Sequence, residues 1–142
     1  MERKDLNKAR SEWRDELTSA PFPPENAAAH WSMEFDGNEA DNSKWLAYMS
    51  DALKTAQTFE IHCWNEETEC ISLALRYGEQ KNADWQYGKI ITGEVTPDFT
   101  AFLLGLPKPS DTEIYNKMTP FFSIFLDNDF RSEHYGTEIT KG

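Results

Sequence analysis

Thr58-Phe59-Glu60-Ile61-His62-Cys63-Trp64 and, after a short polar interval, Ile71-Ser72-Leu73-Ala74-Leu75-Arg76-Tyr77 are the stretches whose reading decides the fold. In the first, Phe59, Ile61 and Cys63 alternate with Glu60, His62 and Trp64. In the second, Ile71, Leu73, Leu75 and Tyr77 alternate with Ser72, Ala74 and Arg76. A period of two is the signature of a strand with one buried face, so the pair predicts a β-hairpin. Uniting both apolar sets on one face sets Ile61 opposite Leu73 or Ile71 and makes the turn at Glu66-Glu67-Thr68 odd in length. An even turn would pair Cys63 with Cys70. The odd turn is favoured because each buried apolar side chain contributes about 1.5–3 kcal/mol, whereas reducing cytoplasm does not sustain a disulfide.

Upstream of Thr58 the apolar period lengthens to about 3.6. Leu6, Ala9, Trp13 and Leu17 form one stripe within Glu2 to Ser19, and Pro21, Pro23 and Pro24 end that helix. Residues 20–40 read as a long connection with a turn at Asp36-Gly37-Asn38. Asn42-Ser43 then caps a second amphipathic helix carrying Trp45, Leu46, Met49, Ala52, Leu53 and Ala56. Downstream, Lys89 to Val95 reads as a third strand. Thr96 caps a short helix with Pro97 at its first position, Asp98 complementing the dipole, and Phe99, Phe102, Leu103 and Leu106 as its buried stripe. Ser110 and Glu113 have capping-box spacing for a further short helix through about Met118. Phe121 to Leu126 reads as a central strand covered on both faces, turning at Asp127-Asn128-Asp129 toward a last strand near His134 to Thr140. The expected class is α+β: N-terminal helices followed by a mainly antiparallel sheet of about five strands with short inserted helices. One domain over 1–142 is expected, with a helical part at 1–57 and a sheet part at 58–142.

Charge then ranks the functions. The chain has 142 residues, 25 acidic and 14 basic side chains, a net charge of −11, and 9 Phe, 5 Tyr and 5 Trp. The excess is spread along it: 11 acids against 7 bases in residues 1–57, and 14 against 7 in 58–142. Such a charge repels phosphate and anionic lipid, so direct nucleic-acid and membrane partners are not expected. The longest uncharged run, Phe99 to Pro107, is far below the ~20 apolar residues of a membrane span, and the charged amino terminus does not resemble a signal peptide. A cytoplasmic location follows as the expectation.

Motifs for chemistry are sparse. His30, His62 and His134 fall in no metal-ligand pattern, and Cys63 and Cys70 are too widely spaced for a Cys-x-x-Cys knuckle. His62 lies on the polar side of its strand beside Glu60 and Trp64, where a stacking contact accounts for it. Asp127-x-Asp129 has the spacing of a metal-nucleotide motif, but a chain of this length leaves no room for the accompanying nucleotide-binding domain, and a turn explains it. No phosphate-cradling glycine loop and no nucleophile elbow is present. The expectation is therefore no catalytic residue, no metal and no cofactor. What stands out is a binding surface. Glu66, Glu67 and Glu69 crowd a turn beside Trp64, where carboxylates and a ring suit Lys or Arg. Asp127, Asp129 and Glu133 form a second acidic group, and Asp84, Trp85 and Tyr87 occupy a polar stretch that the core does not explain.

The hairpin segment Phe59-Glu60-Ile61-His62-Cys63-Trp64 to Ile71-Ser72-Leu73, the strand Phe121-Phe122-Ser123-Ile124-Phe125-Leu126-Asp127 and the acidic α+β chain around them resemble the immunity proteins of bacterial toxin systems, particularly those of contact-dependent growth inhibition. That family shares no motif, so the resemblance carries over no residue role. It implies a cytoplasmic antitoxin that binds a cognate toxin domain, often a basic nuclease, and occludes its active site. The alternative expectation is a small ligand-binding domain or enzyme with a pocket between the sheet and helix 43–57, using His62 and a carboxylate.

Overall fold

The computed structural model describes residues 30–35, 39–110 and 115–142. The helix expected over Glu2 to Ser19 lies outside them, as do the start of the helix expected after Ser110 and the turn at Asp36-Gly37-Asn38; the described residues 115–118 are not helical. The element order is β1 (Trp31–Glu34), α1 (Ser43–Leu53), β2 (Thr58–Trp64), α2 (Thr68–Leu75), β3 (Gly78–Gln80), β4 (Gly88–Glu94), α3 (Pro97–Gly105), β5 (Ser123–Leu126), β6 (Phe130–Glu133) and β7 (Glu138–Lys141). The class is α+β, and the strands form one antiparallel sheet in the order β1-β7-β6-β5-β2-β4-β3.

The expected hairpin is corrected. β2 is a strand, but residues 68–75 are a helix, and β2 pairs instead with β4 on one side, Ile61 opposite Ile91, and with β5 on the other, Ile61 opposite Ile124. Two effects decide this. Both edges of β2 gain a ladder from partners distant in sequence, and a segment of eight residues is too short for its apolar spacing to separate a strand from a helix. Cys70 and Ala74 stand four apart as readily as Ile71 and Leu73 stand two apart; Ala74 is fully buried, while Leu75, which a strand would cover, is 43% exposed. Glu69 in the first turn of α2 also faces the positive end of its dipole.

Three further strands, β1, β3 and β6, lie where the sequence predicts connection or turn. Trp31, Met33 and Phe35 alternate with Ser32 and Glu34, and β1 closes one edge of the sheet against β7, inside the part expected to be helical. β6 begins one residue after the Asp127–Asp129 turn and joins β7 through His134, Tyr135 and Gly136, all at positive φ (53°, 61° and 83°). Gly136 is required there twice over. Its φ suits a residue without a side chain, and a Cβ would stand 2.7 Å from the Trp45 indole nitrogen. α3 follows the sequence expectation: the Thr96 hydroxyl accepts from the Phe99 amide at 3.1 Å and Pro97 occupies the first turn. α1 differs in its cap. Asn42 donates its side-chain amide to the Met118 carbonyl, and Asp41 accepts from the Ser43 amide instead.

One face of the sheet is the core. Trp31 and Met33 of β1, Phe130 of β6, Ile124 and Leu126 of β5, Phe59, Ile61 and Cys63 of β2, Ile91 of β4 and Ile139 of β7 are all buried there with Trp45, Met49, Ala52 and Leu53 of α1 and Phe99 and Leu103 of α3. Phe59 and Phe99 stack at 4.0 Å with planes 3° apart. The buried Ser132 hydroxyl accepts from the Trp45 indole N–H at 3.0 Å, so its polar atom is satisfied within the core.

Candidate functional site

Strand alternation places a second set of side chains on the face away from α1 and α3. From the cross-strand register this set comprises Ser32 and Glu34 of β1, Glu138 and Thr140 of β7, Arg131 and Glu133 of β6, Ser123 and Phe125 of β5, Thr58, Glu60, His62 and Trp64 of β2, Gly88, Ile90, Thr92 and Glu94 of β4, and Glu79 of β3, with Lys81 following. Among the described residues this face carries six carboxylates, Glu34, Glu60, Glu79, Glu94, Glu133 and Glu138, against the cations Lys81 and Arg131.

Its centre is aromatic. The His62 ring lies 4.9 Å from Phe125 and 5.6 Å from Trp85; Trp85 meets Trp64 edge-on at 5.1 Å, and Trp64 continues to Phe122 at 4.9 Å. From Phe122 the contacts pass to Tyr135 and His134, and both of these touch Tyr115. Trp85 reaches this position because Gly88, opposite Trp64 in the ladder, has no side chain. A Cβ on Gly88 would lie 2.4 Å from the Trp85 ring and 2.5 Å from the Cys63 carbonyl oxygen. The loop carrying Trp85 is clamped by Asn65, whose amide donates to the Tyr87 carbonyl at 3.0 Å and whose side chain donates to the Gln86 carbonyl at 2.8 Å. Tyr87 itself is 62% exposed.

The structure divides the residues singled out from the sequence. Trp64, Glu66, Glu67, Glu69, Asp84, Trp85 and Tyr87 gather where β2 ends and β4 begins, and Glu133 lies at the same end of the sheet on the outer face. Asp127 and Asp129 sit at the other end. Asp127 accepts from the Gln57 amide at 2.8 Å, beside the start of β2, about 20 Å from Trp64 at the usual rise per strand residue. The two acidic turns therefore form no common rim. Not every carboxylate at the Trp64 end faces a partner either. Glu67 accepts from the Trp64 amide at 2.9 Å and from the Tyr135 hydroxyl at 2.9 Å, which stitches the α2 start to the β6–β7 turn. Asp127 is likewise engaged: the Gln57 and Thr58 backbone bonds hold its carboxyl below the usual range. Glu66, Glu69 and Asp84 are exposed.

The sequence places Glu60 on the polar side of its strand but points to neither Glu60 nor Phe125 as a partner-binding residue. Glu60 was legible from alternation with Trp64; Phe125 was hidden because Phe121 to Leu126 read as covered on both faces. His62 and Glu60 do form a pair, Nε2 to Oε2 at 2.6 Å, but on the outer face. The space between the sheet and α1 is filled by Met49, Ile61, Ile124 and Ile139, each fully buried, so a site using His62 does not lie there. Burial pushes the Cys63 thiol up to about 12 and the Cys70 thiol up to about 11, which leaves both protonated at neutral pH and poor nucleophiles. Among the described residues no group of three or more His, Cys, Asp or Glu is arranged to hold a metal ion, and no helix is long and apolar enough to cross a membrane. No protein-family model matches the chain, and neither the curated proteins nor the solved structures contain a match.

Proposed function

We propose that this chain is an immunity protein that binds a basic toxin domain through the outer face of its sheet and blocks the toxin's active site. The observation that carries the reading is the composition of that face: half-exposed Trp64 and Trp85 set among carboxylates that outnumber cations, on a molecule of net charge −11. A nuclease domain presents Lys and Arg to hold phosphates. A blocker of opposite sign gains electrostatic steering, with association rates up to about 10⁸–10⁹ M⁻¹s⁻¹ at low salt. Rings at the centre and charges around them match the division of labour in tight interfaces, where desolvated aromatics supply most of the affinity. The clamp of Asn65 on Gln86 and Tyr87 holds the loop in place before binding, which lowers the ordering cost of association.

Growth rescue tests it. Every toxic reading frame of the source genome is expressed with and without this chain. The expected result is one basic domain tolerated only when the chain is present, with the purified domain inhibited at a one-to-one ratio. Rescue of no frame, or rescue without binding between the purified proteins, overturns the reading.

A further inference from the structure

Among the described residues, Glu60 is the one carboxylate at the centre of the outer face with rings on two sides. Phe125 is its direct cross-strand neighbour, and the His62 imidazole that holds Oε2 is itself flanked by Trp85, Phe125 and the cross-strand Ile90. The other oxygen, Oε1, faces the Lys81 ammonium at 3.7 Å, beyond hydrogen-bond distance, and the Lys81 side chain is 56% exposed. An exposed pair of that geometry contributes little and exchanges readily. The site thus attracts a cation and holds its resident one loosely.

We propose that this plate seats an arginine side chain of the basic partner, its guanidinium lying against the Trp85 ring and donating to Glu60 Oε1 in place of Lys81. The proposal rests on the toxin-binding reading and names the side chain that reading leaves open. Arginine is favoured over lysine for physical reasons. A planar, weakly hydrated guanidinium stacks on a ring and donates to a carboxylate at once, whereas a compact ammonium keeps its water. The plate is also formed in advance. Gly88 leaves the room in which Trp85 lies, and Trp64 meets that ring at 61° from the side.

The test titrates ¹⁵N-labelled full chain with acetyl-Gly-Arg-Gly-amide and with its lysine and citrulline counterparts, following the indole N–H resonances of Trp64 and Trp85. Saturable shifts with the arginine peptide, at least about 3-fold tighter than with lysine and absent with neutral citrulline, are expected. Glu60→Gln is expected to weaken binding by about 5-fold or more while the spectrum stays that of the folded chain, and Lys81→Ala to strengthen it. Equal shifts with citrulline, no shift with arginine, or an unchanged response in Glu60→Gln overturns the proposal. The two readings fail separately: a chain that rescues growth but ignores the arginine peptide loses this site alone, and one that binds the peptide but rescues no toxic frame loses the immunity function alone.

Discussion

Cys63 and Cys70 show how a residue's neighbours set its chemistry. Cys63 points into the core from β2, and Cys70, on α2, donates its thiol toward the Pro120 carbonyl at 3.4 Å. Alternation along Phe59 to Trp64 is enough to turn Cys63 inward, but nothing in the sequence tells that Cys70 lies on a helix, or that burial raises both thiols. With folded values near 12 and 11, thiolate at pH 8 is scarce, and alkylation by iodoacetamide is expected to run about 100-fold or more slower than for free cysteine. Mass-spectrometric time courses on the native and the urea-unfolded chain check this; equal rates would mean that neither thiol is shielded. At the same scale Glu67, which the sequence predicts to be a surface charge, is a structural bridge between Trp64 and Tyr135, a role that depends on a turn 68 positions away.

Elements were legible where local signals agree. α3 combines a hydroxyl cap, a first-turn proline and an acidic side chain at the positive end, all within a few residues, and it forms as expected. α1 and β4 likewise carry long, consistent periods. The failures fall on short segments: α2 at eight residues, β1 and β6 at four each and β3 at three. There the choice between helix, strand and turn belongs to the partners available, since a strand needs a neighbour that local sequence does not reveal. The junction of β2 and β4 carries a prediction of its own. Gly88→Ala would place a methyl group against both the Trp85 ring and the Cys63 carbonyl oxygen, and overpacking of this kind costs about 1–3 kcal/mol. Urea denaturation should move to a lower midpoint, and tryptophan emission should shift as Trp85 leaves the sheet; an unchanged emission spectrum would show that the ring is not seated on Gly88.

At the scale of the whole molecule, the opposed ends of the sheet separate two charge groups that are indistinguishable in the sequence. Under the proposed function, Glu66→Lys with Glu133→Lys, at the Trp64 end, is expected to slow association with the toxin domain by about 10-fold or more at low salt and to flatten its salt dependence. Asp51→Lys with Asp129→Lys, at the far end, reverses the same number of charges and should change the rate far less. Stopped-flow association at about 50 and 500 mM salt distinguishes them, and equal effects of the two variants would assign the interface to net charge rather than to this face. By itself the sequence determined the α+β class, the net acidity, the capped helix α3 and the inward set of β2, because each follows from composition or from neighbours within a few positions. The strand order, the seven strands, the helical α2 and the meeting of Glu60, His62, Trp85 and Phe125 were decided only by tertiary structure. Those features depend on which distant segments share a ladder, and a cross-strand partner can lie anywhere along the chain.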